Sequence, residues 1–273
     1  MIVTRFAPSP TGYLHLGHAF SAFNAWRRAR DVGGRFLLRL EDIDPTRCRP
    51  EYADAIQEDL AWFGLDWDGP VRVQSQHLPD YSAALDRLAE RGLIYPCFCT
   101  RADIAASAAA PHGPDGAPLY PGTCRHRSPS ERADRIAAGE RFALRLDMTA
   151  ANRPNLDYEE EEIGRTICHP EQFGDVVLAR KDTPASYHLC VTHDDAIQGI
   201  TLVTRAIDLK PATDLHRLLQ ALMGWPSPAY AHHRLLTDDT GKRLAKRDKA
   251  VTLRSLRAEG ISARTIIQRL DYQ

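Results

Sequence analysis

The sequence predicts an α/β fold with a parallel sheet, and two patterns support this prediction. Apolar strand-like segments alternate with helix-like runs through the first third of the chain, and all three of those runs end directly at glycine. The strand-like segments are Ile2 to Phe6 and Arg35 to Leu40, and the helical spacing covers Ala19 to Val32, Tyr52 to Phe63 and Tyr81 to Arg91. Glycine readily ends a helix because it adopts the left-handed conformation at no cost. Alternation of this kind is typical of strand–helix–strand units, whose strands are parallel.

A different composition begins at Pro96. Prolines and glycines cluster between residues 111 and 122, which predicts an insertion of irregular structure. Other strands and helices are expected around it, at Leu93 to Tyr95, Arg141 to Leu146, Val176 to Arg180, from Tyr187 onward, and at Ala212 to Met223. We therefore expect a parallel-sheet domain in two halves, residues 1–95 and 176–235. An insertion over residues 96–175 separates the halves, and a short tail over residues 236–273 follows.

Size and charge limit the classes of function. The chain has 273 residues, near the size at which one core divides into domains. Its formal net charge is −1, so any contact with nucleic acid has to use local basic patches such as Lys242 to Arg257 and Arg125 to Arg135. The acidic run Glu159 to Glu162 is expected to be a solvent-exposed face or loop. No long apolar run and no signal-peptide pattern occurs, which predicts a cytoplasmic protein without membrane contact.

The first motif follows the first predicted strand and precedes the first predicted helix. Residues 8–18 read PSPTGYLHLGH. A tight turn between a strand and a helix brings backbone N–H groups and the positive helix end to a phosphate. Gly17 allows a ligand to approach closely, and His15 and His18 can donate hydrogen bonds to phosphate oxygens. Two histidines at a helix start are, however, more often capping or core residues.

A second motif lies far downstream, where Gly241 to Lys249 carries five basic residues in nine. An isolated charge run is usually a solvated loop or helix end. In combination with the first motif, this run indicates a basic loop that contacts a polyphosphate and stabilises charge on the group being transferred.

The two motifs together resemble the two signatures of class I aminoacyl-tRNA synthetases. His15 to His18 matches the first signature and Arg243 to Arg247 the second, while Arg5 to Gly12 and Arg39 to Asp44 resemble the glutamyl and glutaminyl group. The resemblance runs from residue 3 to about residue 257. It implies a Rossmann-type nucleotide-binding domain with a short helical tail, and ATP bound with Mg²⁺. It implies catalytic roles for His15, His18 and Lys246, and ATP contacts for these three residues and Gly17.

Chain length suggests a subfamily. Synthetases that charge tRNA(Glu) carry an anticodon-binding region after the second motif, whereas the chain after Lys249 is shorter than a small domain of ~50 residues. We therefore expect no anticodon-binding domain, and the chain resembles the glutamyl-Q tRNA(Asp) synthetases. That resemblance implies activation of L-glutamate with ATP and its transfer to queuosine at the wobble position of tRNA(Asp). A monomer that binds the anticodon stem-loop is expected. The alternatives are a minimal glutamyl-tRNA synthetase that charges the 3′ end and a non-catalytic RNA-binding paralogue.

Glutamate carries two carboxylates and one ammonium group, so its pocket needs both cationic and anionic contacts. The resemblance places Arg5 and Arg205 at the carboxylates, since guanidinium suits bidentate binding, and Glu41 at the ammonium. The remaining residues of the predicted glutamate site are Phe6, Ala7, Pro8, Ser9 and Tyr187. Val191 stands where charging enzymes usually carry Asn, which favours the shorter subfamily. The pair Asp194-Asp195 is expected to be structural.

Three clustered cysteines predict a metal site in the insertion, because disulfides are rare in cytosolic proteins: Cys97, Cys99 and Cys124. A zinc ion would stabilise a module too small for a core of its own, and it needs a fourth ligand. From spacing alone His112 and His126 are candidates, because imidazole is a common zinc ligand. The Cys-x-Cys…Tyr-x3-Cys zinc pattern of the resembling subfamily instead implies Tyr120, and we expect one structural Zn²⁺ with that ligand set. The other cysteines are expected to be buried reduced thiols: Cys48, Cys168 and Cys190.

Overall fold

The computed structural model describes residues 1–106, 112–114, 116, 118–236 and 251–272. The strands are β1 (Val3–Phe6), β2 (Arg35–Leu40), β3 (Arg72–Val73), β4 (Ile94–Cys97), β5 (Ala143–Leu146), β6 (Asp157–Glu160), β7 (Gly164–Ile167), β8 (Val177–Ala179), β9 (Leu202–Ala206) and β10 (Ala229–His233). The α-helices are α1 (Leu16–Arg30), α2 (Pro50–Phe63), α3 (Leu78–Glu90), α4 (Arg101–Ala106), α5 (Pro129–Ala137), α6 (Met148–Ala151), α7 (Tyr187–Ile197), α8 (Ala212–Met223), α9 (Leu253–Ala258) and α10 (Ala263–Tyr272).

Parallel strands from the first and second halves of the chain form the centre of the fold. β2 pairs in parallel with β1 and β3, and β10 pairs in parallel with β9 and β6. The two groups meet where β1 starts beside β9, since the backbone N–H of Thr201 donates to the carbonyl of Val3 at 3.0 Å. α1 packs against β1, β2 and β9. The predicted parallel α/β fold is therefore confirmed.

The two largest apolar cores among the described residues hold most of the elements together. One core joins α1, β2 and α2 to the C-terminal helices through residues such as Phe23, Phe36, Leu60 and Leu253, all of them buried. This core places the tail against the first half of the chain. The other core lies where α3, α7 and α8 pack on an antiparallel sheet of β4, β5 and β8. No helix among the described residues is long and apolar enough to cross a membrane.

The acidic run Glu159 to Glu162 differs from the expectation at one residue. Glu159, Glu161 and Glu162 are exposed, but Glu160 is only 4 % exposed because β6 pairs with β10 and the Glu160 carboxylate accepts a hydrogen bond from the backbone of His232. The prediction of a solvent-exposed face is wrong at Glu160. β6 also joins part of the segment 96–175 to the parallel sheet, while the division of the chain into halves and an insertion stays a prediction.

Candidate active site

A cavity of about 450 Å³ lies at the carboxyl ends of the parallel strands β1, β2 and β9. Every described residue predicted to contact glutamate or ATP lines it: Arg5, Phe6, Ala7, Pro8, Ser9, His15, Gly17, His18, Glu41, Tyr187 and Arg205. Val191 lines the same cavity. The sheet therefore brings the first motif and the second half of the chain to one site, which is the usual position of ligands in open parallel α/β sheets.

The first motif forms the start of α1. His15 is the N-cap residue, and its Nδ1 accepts a hydrogen bond from the backbone N–H of Gly17 at 3.1 Å. The Nδ1 of His18 accepts one from the backbone N–H of His15 at 3.3 Å, and the two rings stack with centroids 3.8 Å apart. Because each Nδ1 is an acceptor, a neutral ring carries its proton on Nε2. Both rings can thus present N–H donors at the positive end of a helix, which suits an anion.

Gly17 leaves the room that this arrangement needs. A Cβ at this position would lie 3.0 Å from Cε1 and 3.2 Å from Nδ1 of His15. A larger residue would press on the capping ring and disturb the stacked pair. The capping role and the predicted ligand role therefore belong to the same two histidines.

The second motif, with Lys246, lies outside the described residues, but both flanks of the segment 237–250 are at the first motif. Leu236 lines the cavity. Thr252 forms an antiparallel bridge with His15, and the backbone N–H of Leu253 donates to the carbonyl of Leu14 at 2.8 Å. The described residues that flank the basic segment thus lie in the lining of the cavity on one side and at the first motif on the other.

A buried ion-pair network borders one part of the cavity. The carboxylate of Asp195 accepts hydrogen bonds from Arg5 Nε and from Arg39 Nη1, each at 2.9 Å. Arg39 Nη2 in turn donates to Glu41 at 3.3 Å. Burial raises the pKa of Glu41, and the opposing charges of Arg39 and Arg5 leave it at about 7. The charge of Arg5 is therefore already balanced by Asp195, and Glu41 is poised to ionise near neutral pH.

Arg205 has different surroundings. Its guanidinium donates to Thr213 Oγ1 at 2.7 Å, to His216 Nδ1 at 3.1 Å and to His232 Nε2 at 3.2 Å. None of the three acceptors is a carboxylate, so none brings a negative charge to Arg205. Tyr187 lines the cavity as well, and burial raises the pKa of its hydroxyl, so it is a neutral hydrogen-bonding group.

Behind the cavity lies a second buried carboxylate, Asp194, which is fully buried. It accepts hydrogen bonds at 2.9 Å from Arg72 Nε, Gln74 Nε2 and the Tyr81 hydroxyl. These contacts tie α7 to β3 and α3, and they fit the structural role expected for the Asp194-Asp195 pair.

Sequence reasoning missed several residues around the site: Arg39, Thr213, His216 and His232. Arg39 offered the clearest signal, because a lone arginine inside the apolar run of β2 has to find a buried partner. The two histidines offered little, since a single histidine in a helix or strand is common.

The cysteine cluster of the insertion forms as expected. The sulfurs of Cys97, Cys99 and Cys124 all lie within 4.8 Å of one another, and Cys99 Sγ is 3.6 Å from Cys124 Sγ. Tetrahedral zinc with Zn–S bonds of ~2.3 Å separates its sulfurs by ~3.8 Å, so the donor set fits this ion. Tyr120 Oη lies 3.4 Å from Cys99 Sγ and accepts a hydrogen bond from the backbone N–H of Cys124 at 2.8 Å.

Of the candidate fourth ligands, Tyr120 contacts the cysteine cluster, and burial raises the pKa of its hydroxyl in this site. The choice of Tyr120 as the fourth ligand stays a prediction. His112 and His126 are both exposed, and within the part of the chain that the structure describes neither belongs to the metal-ligand cluster. Of the other cysteines, Cys168 and Cys190 are buried free thiols as expected, whereas Cys48 is only partly buried.

The fold and the cavity together define a catalytic domain of a class I aminoacyl-tRNA synthetase. The family of class I tRNA synthetases (E and Q), catalytic domain, matches residues 1–271, and the chain belongs to this family. Its similar relatives carry the name of one particular enzyme within this family. The chain is 49 % identical to the glutamyl-Q tRNA(Asp) synthetase of Rhodobacter capsulatus, over 96 % of each chain. A protein of the same name from Nitratidesulfovibrio vulgaris is 45 % identical, over 97 % of this chain and 84 % of its own.

A solved structure agrees. The crystal structure of a glutamate tRNA ligase from Elizabethkingia meningosepticum in complex with its amino acid superposes with a TM-score of 0.77 at 28 % identity. The match covers 90 % of this chain and 52 % of that one, so the chain spans about half the length of the solved ligase. The resemblance deduced from the sequence is confirmed.

Proposed function

We propose that this protein activates L-glutamate with ATP and transfers it to queuosine at the wobble position of tRNA(Asp). The observation that carries the activation step is the single cavity, in which an anion-binding helix start adjoins a carboxylate and an uncompensated guanidinium. Relatives named for the transfer to tRNA(Asp), matched over almost their whole length, support the acceptor.

The chemistry of activation follows from the lining of the cavity. Arg205 and Arg5 face the carboxylates of glutamate, Glu41 accepts from its ammonium, and the hydroxyls of Ser9 and Tyr187 add neutral hydrogen bonds. An oxygen of the α-carboxylate attacks the α-phosphorus of ATP. The new O–P bond forms the glutamyl-adenylate, and the bond to the β-phosphate breaks so that pyrophosphate leaves with its electron pair. Positioning and electrostatics carry the step, and no protein nucleophile is needed.

Three groups stabilise the negative charge of the phosphates. His15 and His18 donate from Nε2 at the start of α1, and Lys246 supplies a cation from the segment whose flanks lie at the first motif. Mg²⁺ bound with ATP would neutralise further phosphate charge. In the second step a hydroxyl of the queuosine cyclopentene diol attacks the adenylate carbonyl, and AMP leaves.

The zinc site is structural in this proposal. Cys97, Cys99, Tyr120 and Cys124 would hold one Zn²⁺ and fix the irregular insertion beside the antiparallel sheet. A structural ion supplies folding free energy to a segment with few apolar contacts of its own. A monomeric state, a cytoplasmic location and binding of the anticodon stem-loop are proposals made from the sequence.

Activation is tested by exchange of labelled pyrophosphate into ATP. We expect exchange that depends on glutamate and Mg²⁺ and requires no tRNA. Exchange that appears only when tRNA is added would assign the chain to the charging enzymes. A chain that binds RNA but shows no exchange under either condition would be a non-catalytic paralogue.

The acceptor is tested with an isolated tRNA(Asp) anticodon stem-loop. The stem-loop with queuosine at the wobble position is expected to accept labelled glutamate, because splayed loop bases can be recognised directly. The matched stem-loop with guanosine lacks the diol and should be inert, and periodate cleavage of the diol should abolish transfer. Glutamate attached to the terminal adenosine of tRNA(Glu), located by nuclease mapping, would instead identify a minimal glutamyl-tRNA synthetase.

A further inference from the structure

The arginines of the site differ in how their charges are balanced. Arg5 pairs with Asp195 at 2.9 Å, and Arg39 pairs with both Asp195 and Glu41. Arg205 is equally buried, yet among the described residues its hydrogen-bonding side chains are Thr213, His216 and His232, its guanidinium lies 5.5 Å from the centroid of the Tyr230 ring, and none of these partners is a carboxylate. A buried guanidinium normally pairs with a carboxylate. A buried guanidinium without such a partner indicates that a negatively charged ligand completes the pair.

The two histidines are oriented as acceptors by partners of their own. A guanidinium has only donors, so His232 Nε2 and His216 Nδ1 must present lone pairs to Arg205. His232 Nδ1 then carries the proton and donates to Glu160 at 2.7 Å. His216 Nε2 likewise donates to His188 Nδ1 at 3.1 Å. Glu160 and His188 thus fix the tautomers of the rings that hold Arg205.

Both rings are neutral near pH 7. Burial lowers the pKa of His232 to about 4, and the adjacent Arg205 charge acts in the same direction, although Glu160 opposes it. Burial and Arg205 also hold the pKa of His216 well below its usual range. Protonation of either ring would remove the lone pair that accepts from the guanidinium, so the neutral forms preserve the contacts.

Among the residues that the structure describes, the hydrogen bonds leave Arg205 with unused donors on its terminal nitrogens. A guanidinium has five N–H groups, and the three contacts take Nε–H, one N–H of Nη1 and one N–H of Nη2. One N–H remains on each terminal nitrogen, and a carboxylate can accept both. The acceptors therefore fix the position of the guanidinium while they leave its charge for the ligand.

We propose that His232 and His216 are positioning residues for glutamate recognition, which hold Arg205 through neutral acceptors, with Glu160 fixing the tautomer of His232. This inference rests on the proposed function, because it assigns the Arg205 charge to a carboxylate of the amino-acid substrate. The two residues act through Arg205 and make no step of the reaction themselves.

The test compares His232→Phe with His232→Gln in pyrophosphate exchange. Phenylalanine removes the acceptor, whereas the glutamine amide oxygen can reach the position of Nε2. We expect His232→Phe to raise the KM for glutamate by about tenfold or more, as expected when hydrogen bonds to a charged group are lost. The KM for ATP should change by less than about twofold, and His232→Gln should recover most of the glutamate affinity. His169→Phe is the matched control, since it breaks an exposed histidine–glutamate pair with Glu171, neither residue of which lines the cavity, and it should leave both constants unchanged.

The outcomes separate the inference from the proposed function. A wild-type protein without glutamate-dependent exchange would refute the proposed function. An active wild type with an unchanged glutamate KM in folded His232→Phe would overturn the inference, and so would an equal rise in both KM values, which indicates general damage. If His232→Phe does not fold, His216→Leu and His216→Asn repeat the comparison at the other acceptor, because the Asn oxygen can replace Nδ1.

Discussion

Replacing Asp194 with alanine should unfold the protein at a much lower temperature. Asp194 is fully buried, and its carboxylate accepts hydrogen bonds at 2.9 Å from Arg72, Gln74 and Tyr81. Asp194→Ala leaves the buried donors of Gln74 and Tyr81 without their acceptor and removes one of the two carboxylates that pair with the partly buried Arg72, and at about 1–3 kcal/mol for each lost contact the total is about 3–5 kcal/mol. In chains of roughly 150–250 residues, each kcal/mol of lost stability lowers the Tm by about 2–4 °C. The Tm of this protein should therefore fall by about 6–20 °C.

Urea unfolding followed by circular dichroism measures the loss in the free energy of unfolding, and a thermal scan measures the fall in Tm. Two further variants give reference values. Tyr81→Phe removes a single donor and should cost about 1 kcal/mol. Asp157→Ala breaks a largely exposed pair with Arg165 and should cost less than about 1 kcal/mol. If Asp194→Ala lies within about 1 kcal/mol of the wild type, the buried network does not stabilise the fold as argued.

The pH dependence of this contribution has a definite sign. Burial alone would raise the pKa of Asp194, but the hydrogen bond from His193 and the charges of Arg39 and Arg72 hold it below its usual value of 3.8. The stabilisation is therefore complete at neutral pH and is lost as the pH falls through the depressed pKa. The stabilities of the wild type and of Asp194→Ala should converge only in strong acid.

Cys97→Ser and Cys124→Ser should each remove the zinc measured by elemental analysis, whereas Tyr120→Phe should weaken binding less, because water can replace a phenolate ligand. Protein purified without chelator that contains no zinc would contradict the site, and zinc kept by Tyr120→Phe but lost in His126→Ala would change the fourth ligand. The carboxyl of Glu41, with a pKa of about 7 set by burial against Arg39 and Arg5, binds an ammonium group only when ionised. The KM for glutamate should therefore rise about tenfold from pH 8 to pH 6 and should not do so in Glu41→Gln. A wild-type profile as flat as that of the variant would refute this role.

Local signals account for the elements that the sequence predicted well. The bounds of β2 and α8 agree with the apolar spacing, and α8 ends at Gly224, whose φ of 69° suits glycine. α1 starts at Leu16, three residues before the predicted run from Ala19, because the His15 side chain caps it by accepting a hydrogen bond from the backbone N–H of Gly17. α5 was not predicted, although Ser128 and Glu131 form a capping box that the sequence displays.

Features that depend on distant partners could not be predicted in the same way. β6 forms an antiparallel hairpin with β7, but it joins the parallel sheet only where Glu160 pairs with Tyr230 of the distant strand β10. The lining of the cavity was predictable because motif residues lie at strand ends and turns. The groups that hold Arg205 lie 8, 11 and 27 residues away along the chain, and no periodicity in the sequence connects them. A resemblance to a family identifies ligand contacts but gives no account of the residues behind them.

The separation between the two ends of the ion-pair network also has a consequence for folding. Arg5 bonds to Asp195 across 190 residues, and Arg39 bonds to the same carboxylate across 156. Contacts of such high contact order form late, because loop closure costs entropy before they contribute stability. A ribosome-bound chain holds both arginines long before Asp195 is synthesised, so the substrate pocket is completed only when the second half of the chain docks. Glutamate can therefore bind only the assembled domain, and by mass action it should protect newly made protein from unfolding and proteolysis.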